Sequence, residues 1–344
     1  MNKKYLLALP IAALTLSACH NGTNDFDDFD YQTVYFANQY ADRTIELGVD
    51  EDVDLTNDNK HICTIKAAWG GGYTNRTNVY IDYVVDPSLI EGLYFKNGGG
   101  QLELMPENYY TIAGDNQIKI PQGEIMGGTQ VQLTDAFFND PKSTTQCYVI
   151  PLRMTNVAGA DSILSGKPLE ANPVYTDDSH WSIQPKNFVL YAVKFVNPWH
   201  GQYLRRGVDE ANVDNVPSRI VRHQQYVEND EVVDITTTGY KANKLPVTVK
   251  DAAGNNVTFN LALTFTDDGS CTVAGADDNV VATGTGKFVS KGEKKSLGGK
   301  DRDAIYLDYT AELKDNNMKF QTKDTLVLRT RNVYGGAAFG VERR

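Results

Sequence analysis

Short stretches in which apolar and polar residues alternate, separated by Gly, Pro, Asn and Asp, are the feature that most constrains the fold of this chain. The clearest stretch is 79–85, in which Val79, Ile81, Tyr83 and Val85 fall on one face of an extended strand. Successive side chains of a strand point to opposite faces, so this alternation is typical of a half-buried strand. Helical periodicity is scarce. The pattern predicts an all-β fold that begins with an antiparallel sandwich.

A break in the strand pattern at 197–203 divides the chain. Pro198 and Gly201 interrupt the pattern there, and a second set of strands follows, with its clearest part between 245 and 329. Short turns join consecutive strands of this set, which favours a meander that closes into an antiparallel β-barrel or packs as a second β-sandwich. Periodicity alone does not choose between the two. We therefore predict two domains, 31–197 and 198–344.

The first residues have the order of parts found in an exported protein. A short positive start precedes an apolar run too short to span a bilayer, and Ser17 and Ala18 then lead directly into Cys19. This order resembles the lipobox of bacterial lipoproteins, in which the signal is cut before a lipidated cysteine. We predict a lipoprotein signal peptide over 1–18 and attachment to the membrane through a lipid on Cys19. The alternative is an ordinary signal peptide with an incidental cysteine.

Residues 19–30 are polar and acidic and lack periodicity, which predicts a flexible tether. Acidic residues soon after the lipidated cysteine resemble the surface-export signal of Bacteroidetes lipoproteins, so we expect an outer-membrane protein exposed at the cell surface. A solvated leader without a sorting role is the alternative. The chain has a formal net charge of −11. An acidic surface repels nucleic-acid phosphates and offers no basic patch to anionic lipid, so neither is an expected partner.

The sequence carries no recognisable catalytic or metal-binding motif. Cys63, Cys147 and Cys271 lack the spacing of a zinc site, and we expect all three to be buried and unbridged, with a Cys63–Cys147 pair left open. Residues 284–287 resemble a phosphate-binding loop but lack its first glycine and its Ser or Thr. No zinc-protease helix motif or nucleophile elbow is present. We therefore predict no catalytic residues, no metal and no cofactor.

Two parts of the chain resemble known families. The first resembles the DUF1735 domain, an immunoglobulin-like module of Bacteroidetes surface lipoproteins, and the second resembles the DUF4361 domain that follows it. The matching stretches are 33–39, 43–48, 71–76 and 84–89 for the first domain, and 196–207 with 323–329 for the second. The resemblance implies an immunoglobulin-like sandwich and a product of a polysaccharide-utilisation locus, expressed with a SusC/SusD-like outer-membrane pair. Some relatives bind glycans at the cell surface, and others carry a glycosidase.

Aromatic side chains are the candidates for glycan contact, because sugar rings present apolar C–H faces. Trp181 lies in a polar stretch and is the best candidate for an exposed platform, and Trp69 and Tyr73 flank a glycine-rich stretch. Tyr334, beside two glycines near the C-terminus, is a weaker candidate. A buried residue at a strand end is an equal alternative for Trp69. For Trp199, at the break between domains, packing between the domains is favoured over ligand contact.

These observations favour a surface lipoprotein that captures a polysaccharide or glycoconjugate glycan without cleaving it, as part of a SusC/SusD-like uptake system. In this hypothesis the first domain is a platform and the second carries the recognition surface. A glycoside hydrolase with an unrecognised site is one alternative. A structural or adhesive protein that binds a protein partner is another.

Overall fold

The computed structural model describes residues 31–333 and 337–344. The predicted signal peptide over 1–18, the tether over 19–30 with Cys19, and the candidate Tyr334 lie outside the described residues. Within the described part the predicted all-β fold class is confirmed, because a β-sandwich is followed by a closed antiparallel β-barrel. The barrel, rather than a second sandwich, is the architecture of the second strand set.

Short strands joined by turns and single helical turns make up the sandwich. The strands are β1 Thr33–Tyr35, β2 Tyr40–Glu46, β3 Ile62–Gly70, β4 Val79–Val85, β5 Leu93–Phe95, β6 Glu103–Leu104, β7 Tyr110–Ile112, β8 Gln117–Ile120, β9 Met126–Leu133, β10 Tyr148–Ala158, β11 Ser162–Ile163, β12 Lys167–Pro168, β13 Trp181–Ile183 and β14 Phe188–Val196. The α-helices are α1 Thr56–Asn59 and α2 Asp135–Asn139, and 3-10 turns lie at Pro87–Ile90, Glu107–Tyr109, Pro141–Thr144 and Asp178–His180.

Two sheets face each other across the main core of the sandwich. One has the strand order β11-β1-β3-β9-β7, and the other has the order β2-β14-β10-β4-β8 with β6 paired to β10. Val79, Ile81 and Tyr83 of β4 are buried in this core, as their alternation predicts, whereas Val85 is exposed. Strand β2 pairs with β14 in parallel, so the sandwich is not purely antiparallel. The long segment between these two strands supplies the crossover that a parallel pair requires.

The barrel closes through a long pairing between its first and last strands. Its strands are β15 Gly201–Val213, β16 Val216–Arg222, β17 Glu231–Gly239, β18 Ala242–Lys250, β19 Asn256–Phe265, β20 Ser270–Gly275, β21 Val280–Glu293, β22 Arg302–Leu313 and β23 Met318–Thr330, with 3-10 turns at Val227–Asn229, Leu297–Gly299 and Lys314–Asn316. Strand β15 pairs with β23 along almost its whole length, and β17–β23 follow one another around the wall. Strand β16 pairs with β15 alone and projects as a hairpin.

The last described residues return to the sandwich. Strand β24, Ala337–Ala338, pairs with β2, and β25, Val341–Arg343, pairs with β5. Phe339 packs into a second apolar cluster on the outer side of the β14–β10 sheet. The C-terminal residues of the predicted unit 198–344 therefore pack on the sandwich rather than on the barrel. The cause is an apolar outer sheet face that the C-terminal residues cover, which the spacing of strands does not reveal.

Side-chain contacts join the two domains. Arg331, just after β23, donates through Nη2 to the carbonyl oxygens of Leu47 at 3.1 Å and Asn197 at 2.8 Å. Tyr240, in the turn between β17 and β18, packs its ring on Phe138, with ring centroids 5.8 Å apart. A guanidinium that satisfies two buried carbonyls holds the end of the barrel against the end of β2.

Candidate functional site

The aromatic residues selected from the sequence are mostly covered. Trp69 is 3% exposed and lies in the sandwich core, which confirms the alternative of a buried strand-end residue. Trp181 is 7% exposed, so the prediction that it is an exposed platform is wrong. Its Nε1 donates to the carbonyl oxygen of Val174 at 2.9 Å, and its ring packs on Tyr175. The polar segment around Trp181 folds back on itself, which sequence composition does not indicate.

Tyr73 is 65% exposed, as a ligand platform requires. It does not share a site with Trp181, because Trp69 and Tyr73 belong to the end of β3, whereas Trp181 and Tyr175 lie against the outer cluster of the other sheet. Trp199 is buried, as predicted, but its ring stacks on Phe265 inside the barrel, with centroids 4.2 Å apart. The sequence-selected aromatics therefore do not form one surface.

Charged side chains meet inside the barrel wall. Asp324 accepts hydrogen bonds from Arg205 Nε at 3.0 Å and from Arg222 Nη2 at 2.6 Å. Arg222 also donates through Nε and Nη2 to Asp209, at 2.7 and 2.8 Å. The Tyr309 hydroxyl donates to Asp324 at 3.2 Å. These side chains come from β15, β16, β22 and β23, so the closure of the barrel brings them together.

The electrostatics of this cluster are those of a structural ion-pair network. Burial would raise the pKa of Asp209, but the hydrogen bonds and the charge of Arg222 outweigh it and hold that pKa below its ordinary value. Burial would likewise lower the pKa of Arg222, but Asp209 and Asp324 raise it. At Gly207, a Cβ would lie 2.5 Å from the Asp324 carboxylate, so glycine leaves room for the network. Carboxylates committed to guanidinium groups are poorly placed for proton transfer.

An open groove of about 610 Å³ lies on the outer face of the barrel, between the β15–β16 hairpin and β21. Its lining comes from β15, β16, β21, β22 and β23: Glu210, Ala211, Asn212, Pro217, Ser218, Val281, Thr283, Thr310, Ala311, Glu312, Lys319, Phe320 and Gln321. We call this the barrel groove. Most of these side chains point outward because they alternate along each strand with the buried residues of the barrel core.

The charges of the barrel groove are largely neutralised within it. Glu312 pairs with Lys319 at 3.1 Å, and Glu210 pairs with Arg219 at 3.3 Å. The side chains of a second set have no hydrogen-bonding partner among the described residues: Asn212, Ser218, Thr283 and Gln321. The groove therefore presents free neutral amide and hydroxyl groups between two ion pairs. The local sequence pattern does not identify these residues, because only the strand register places them on one face.

A second cavity of about 450 Å³ lies where the C-terminal residues cross the sandwich. It is lined by Tyr40 of β2, Leu93 and Lys96 of the β5 region, Thr176 to Asp178 of the loop before β13, and Phe339 to Arg343. We call this the tail pocket. Its walls come from four separated parts of the chain, so a local sequence pattern does not predict this pocket.

The thiols of the described residues are not arranged as a reactive centre. Cys63 and Cys271 are buried, Cys147 is half-buried, and none of the three is bridged, as predicted apart from the exposure of Cys147. Burial raises the pKa of Cys63 and Cys271 to about 12, which disfavours the reactive thiolate. Over 31–333 and 337–344, no group of His, Cys, Asp or Glu is arranged to hold a metal ion. No helix in that part of the chain is long and apolar enough to span a membrane.

Family models match both parts of the chain. Residues 198–332 match a domain of unknown function, DUF5627, and residues 29–161 match a model described as an N-terminal domain. These matches do not show the DUF1735 and DUF4361 resemblances, which stay predictions.

A solved structure from Bacteroides ovatus, described as a protein of unknown function, is 62% identical in sequence. The similarity covers 92% of this chain and 100% of that one, with a TM-score of 0.89. An auxiliary nutrient binding protein from Bacteroides thetaiotaomicron is 12% identical, with 83% of this chain and 89% of that one covered and a TM-score of 0.35. Structural similarity that low carries no argument about this chain. No curated protein matches the sequence.

Proposed function

We propose that this chain, which belongs to the same family as the 62% identical Bacteroides ovatus protein of unknown function, binds a glycan chain in the barrel groove without cleaving it. The observation that carries this proposal is the set of unpartnered neutral side chains in that groove. Asn212, Ser218, Thr283 and Gln321 supply amide and hydroxyl groups that match the alternating donors and acceptors of sugar hydroxyls.

The size and form of the barrel groove support a sugar ligand. Its volume of about 610 Å³ falls in the range of about 300–1,000 Å³ that small-molecule sites occupy. Most of the lining side chains are exposed, whereas Ala211, Ala311 and Phe320 are buried, and the lining belongs to five strands, so a chain-like ligand can lie across the sheet without a deep entry. Recognition in this groove would rest on hydroxyl hydrogen bonds, since its lining includes no exposed Trp, Tyr or Phe among the described residues.

The charge pattern of the groove favours binding over hydrolysis. Glycoside hydrolysis uses two carboxyl groups, one of which acts as a protonated acid. The groove carboxylates, Glu210 and Glu312, each face a basic side chain instead. The pair is therefore arranged as two separate ion pairs rather than as an acid and a nucleophile.

We propose that this binding takes place at the cell surface. The lipobox-like residues before Cys19 and the acidic residues after it support a lipid-anchored protein of the outer membrane. The resemblance to polysaccharide-utilisation proteins supports a SusC/SusD-like complex as the partner that takes up the captured glycan. In this arrangement the protein holds the glycan near the transporter, and a separate enzyme cleaves it.

The test is affinity electrophoresis of the purified full-length chain through gels that contain neutral polysaccharides or glycoprotein glycans. We expect at least one neutral glycan to retard the wild type. The variant Asn212→Ala/Gln321→Ala should lose most of that retardation, because it removes two of the free amides. Gln130→Ala is a matched control, since Gln130 is an exposed amide on β9 of the sandwich. The variants should keep the wild-type melting temperature because they change exposed side chains only.

The outcomes separate the alternatives. Retardation without new reducing ends, lost in the groove variant and kept in Gln130→Ala, supports the proposal. Reducing ends that accumulate with time would favour a glycoside hydrolase. Retardation that survives in the groove variant would place the glycan elsewhere. A chain that no glycan retards would favour a structural or adhesive role.

A further inference from the structure

The tail pocket is an assembled cavity rather than a gap between loops. Strand β25 lies beside β5 in register, with Val341 opposite Phe95 and Arg343 opposite Leu93. Arg343 ties the pocket together, because its Nη1 donates to the Glu91 carbonyl oxygen at 2.8 Å and its Nη2 to Thr176 Oγ1 at 3.2 Å. The cavity of about 450 Å³ is therefore held open by paired strands and by an arginine that bridges two loops.

One wall of the tail pocket is apolar and aromatic. Tyr40 and Phe339 meet edge to face with ring centroids 5.8 Å apart, and Leu93 and Val341 complete the wall. The Tyr40 hydroxyl has no hydrogen-bonding partner among the described residues. Burial, and then the nearby Asp178 carboxylate, raise the pKa of Tyr40, so its hydroxyl stays a donor. An aromatic wall with a hydroxyl at its edge suits the C–H face of a sugar ring.

The polar wall of the tail pocket carries two basic side chains. Lys96 and Arg343 both line the pocket, and neither has a carboxylate within ion-pair distance among the described residues. The acidic neighbours are mostly committed elsewhere. Asp177 accepts from the backbone and hydroxyl of Ser179, and Glu342 pairs with Arg344.

Asp178 is the acidic side chain of this wall that lacks a hydrogen bond or ion pair in the described part of the chain. Besides Glu342, which pairs with Arg344, the charges that line the pocket are thus two cations, Lys96 and Arg343, and two carboxylates, Asp177 and Asp178. A ligand that complements them has an anionic group for Lys96 and Arg343 and hydroxyl donors for Asp178.

We propose that the tail pocket is a second ligand site, which binds a carboxylate-bearing sugar such as a hexuronic acid. The sugar carboxylate lies at Lys96 and Arg343, its hydroxyls donate to Asp178, and its C–H face packs on Tyr40 and Phe339. The two sites then differ in chemistry, because the barrel groove offers neutral amides and hydroxyls. The tail pocket shares no residue with the barrel groove, so binding in the tail pocket can be tested independently of the function proposed above.

The experiment titrates glucuronate, glucose and inorganic phosphate into the purified full-length chain at low salt, with binding followed by calorimetry. Glucuronate should bind at least tenfold more tightly than glucose, since only glucuronate has a carboxylate to pair with the cations. Lys96→Met should weaken glucuronate binding about tenfold or more, and Lys96→Arg should restore it. Lys66→Met is the matched control, because Lys66 is an exposed lysine on β3 with no ion pair.

Each result of this titration supports or overturns the assignment of the tail pocket as an acidic-sugar site. Glucuronate binding that falls in Lys96→Met, persists in Lys66→Met and also persists in the groove variant Asn212→Ala/Gln321→Ala supports a separate acidic-sugar site. Absence of glucuronate binding by the wild type overturns it, and so does equal binding by wild type and Lys96→Met. Phosphate binding as tight as glucuronate would overturn the sugar part of the assignment, since phosphate lacks the ring and hydroxyls that Tyr40 and Asp178 contact.

Discussion

The join between the two domains should be sensitive to mild acid because of His200. This histidine lies between β14 and β15, and its Nδ1 accepts a hydrogen bond from the Thr237 backbone N–H at 3.3 Å. Burial lowers the pKa of His200 from its ordinary value of 6.5 to about 4, and the charges of Arg331 and Lys194 lower it further against the opposing effect of Asp234. The folded protein therefore holds a neutral imidazole where the unfolded chain would protonate it.

The sign and size of the effect follow from this difference. A group that is harder to protonate in the folded state stabilises the fold fully above the unfolded pKa of 6.5, and that stability is lost as the pH falls toward about 4. One such group reduces the free energy of unfolding by about 2 kcal/mol between pH 7 and pH 5. Other groups titrate at lower pH, so the effect of His200 has to be isolated with a variant.

The assay compares the urea unfolding of the wild type and of His200→Gln at pH 7 and pH 5, followed by tryptophan fluorescence. Glutamine keeps a hydrogen-bond acceptor for the Thr237 N–H but does not titrate, so the variant should lose about 2 kcal/mol less than the wild type across this range. His223→Gln is the control, because His223 is exposed and should leave the wild-type pH dependence intact. Equal pH dependence of the wild type and His200→Gln would refute the reasoning.

Three further predictions concern the barrel and the anchor. Trp199→Ala should lower the free energy of unfolding by about 3–5 kcal/mol, because it removes a ring stacked on Phe265; a melting curve that matches the wild type would show that the stack is dispensable. Asp324→Asn should lower the free energy of unfolding by about 3–5 kcal/mol, because it removes the fully buried carboxylate that Arg205 and Arg222 share and leaves Arg205 only the partly exposed Glu231 at 3.3 Å, and chemical denaturation that finds less than about 1 kcal/mol would contradict a buried ion pair. Cys19→Ala should abolish palmitate labelling and move the protein from the membrane fraction to the soluble fraction; retention of label and membrane association would contradict lipidation at this residue.

The alternation of apolar and polar residues predicted the local part of the fold. The alternation in β4 identified Val79, Ile81 and Tyr83 as core residues. Pro198 lies in the short segment between the end of β14 and the start of β15. The prediction for β4 concerns which face of a strand is buried. It follows directly from the alternation of side chains between the two faces of a strand. The same logic does not extend to loops. Trp181 lies in a polar segment, yet its ring is covered because that segment packs on Tyr175.

By itself, the sequence determined that the chain is built of strands, roughly where they lie, and which of their residues face a core. The tertiary structure alone decided that β15 closes on β23, which aligns Arg205 with the far end of the chain at Asp324. It also decided that Phe339 returns to cover the sandwich and so creates the tail pocket. Such pairings join residues that are far apart in sequence, and their register depends on the sum of contacts along whole strands. A local pattern states which face a residue takes, but it does not state which strand lies opposite.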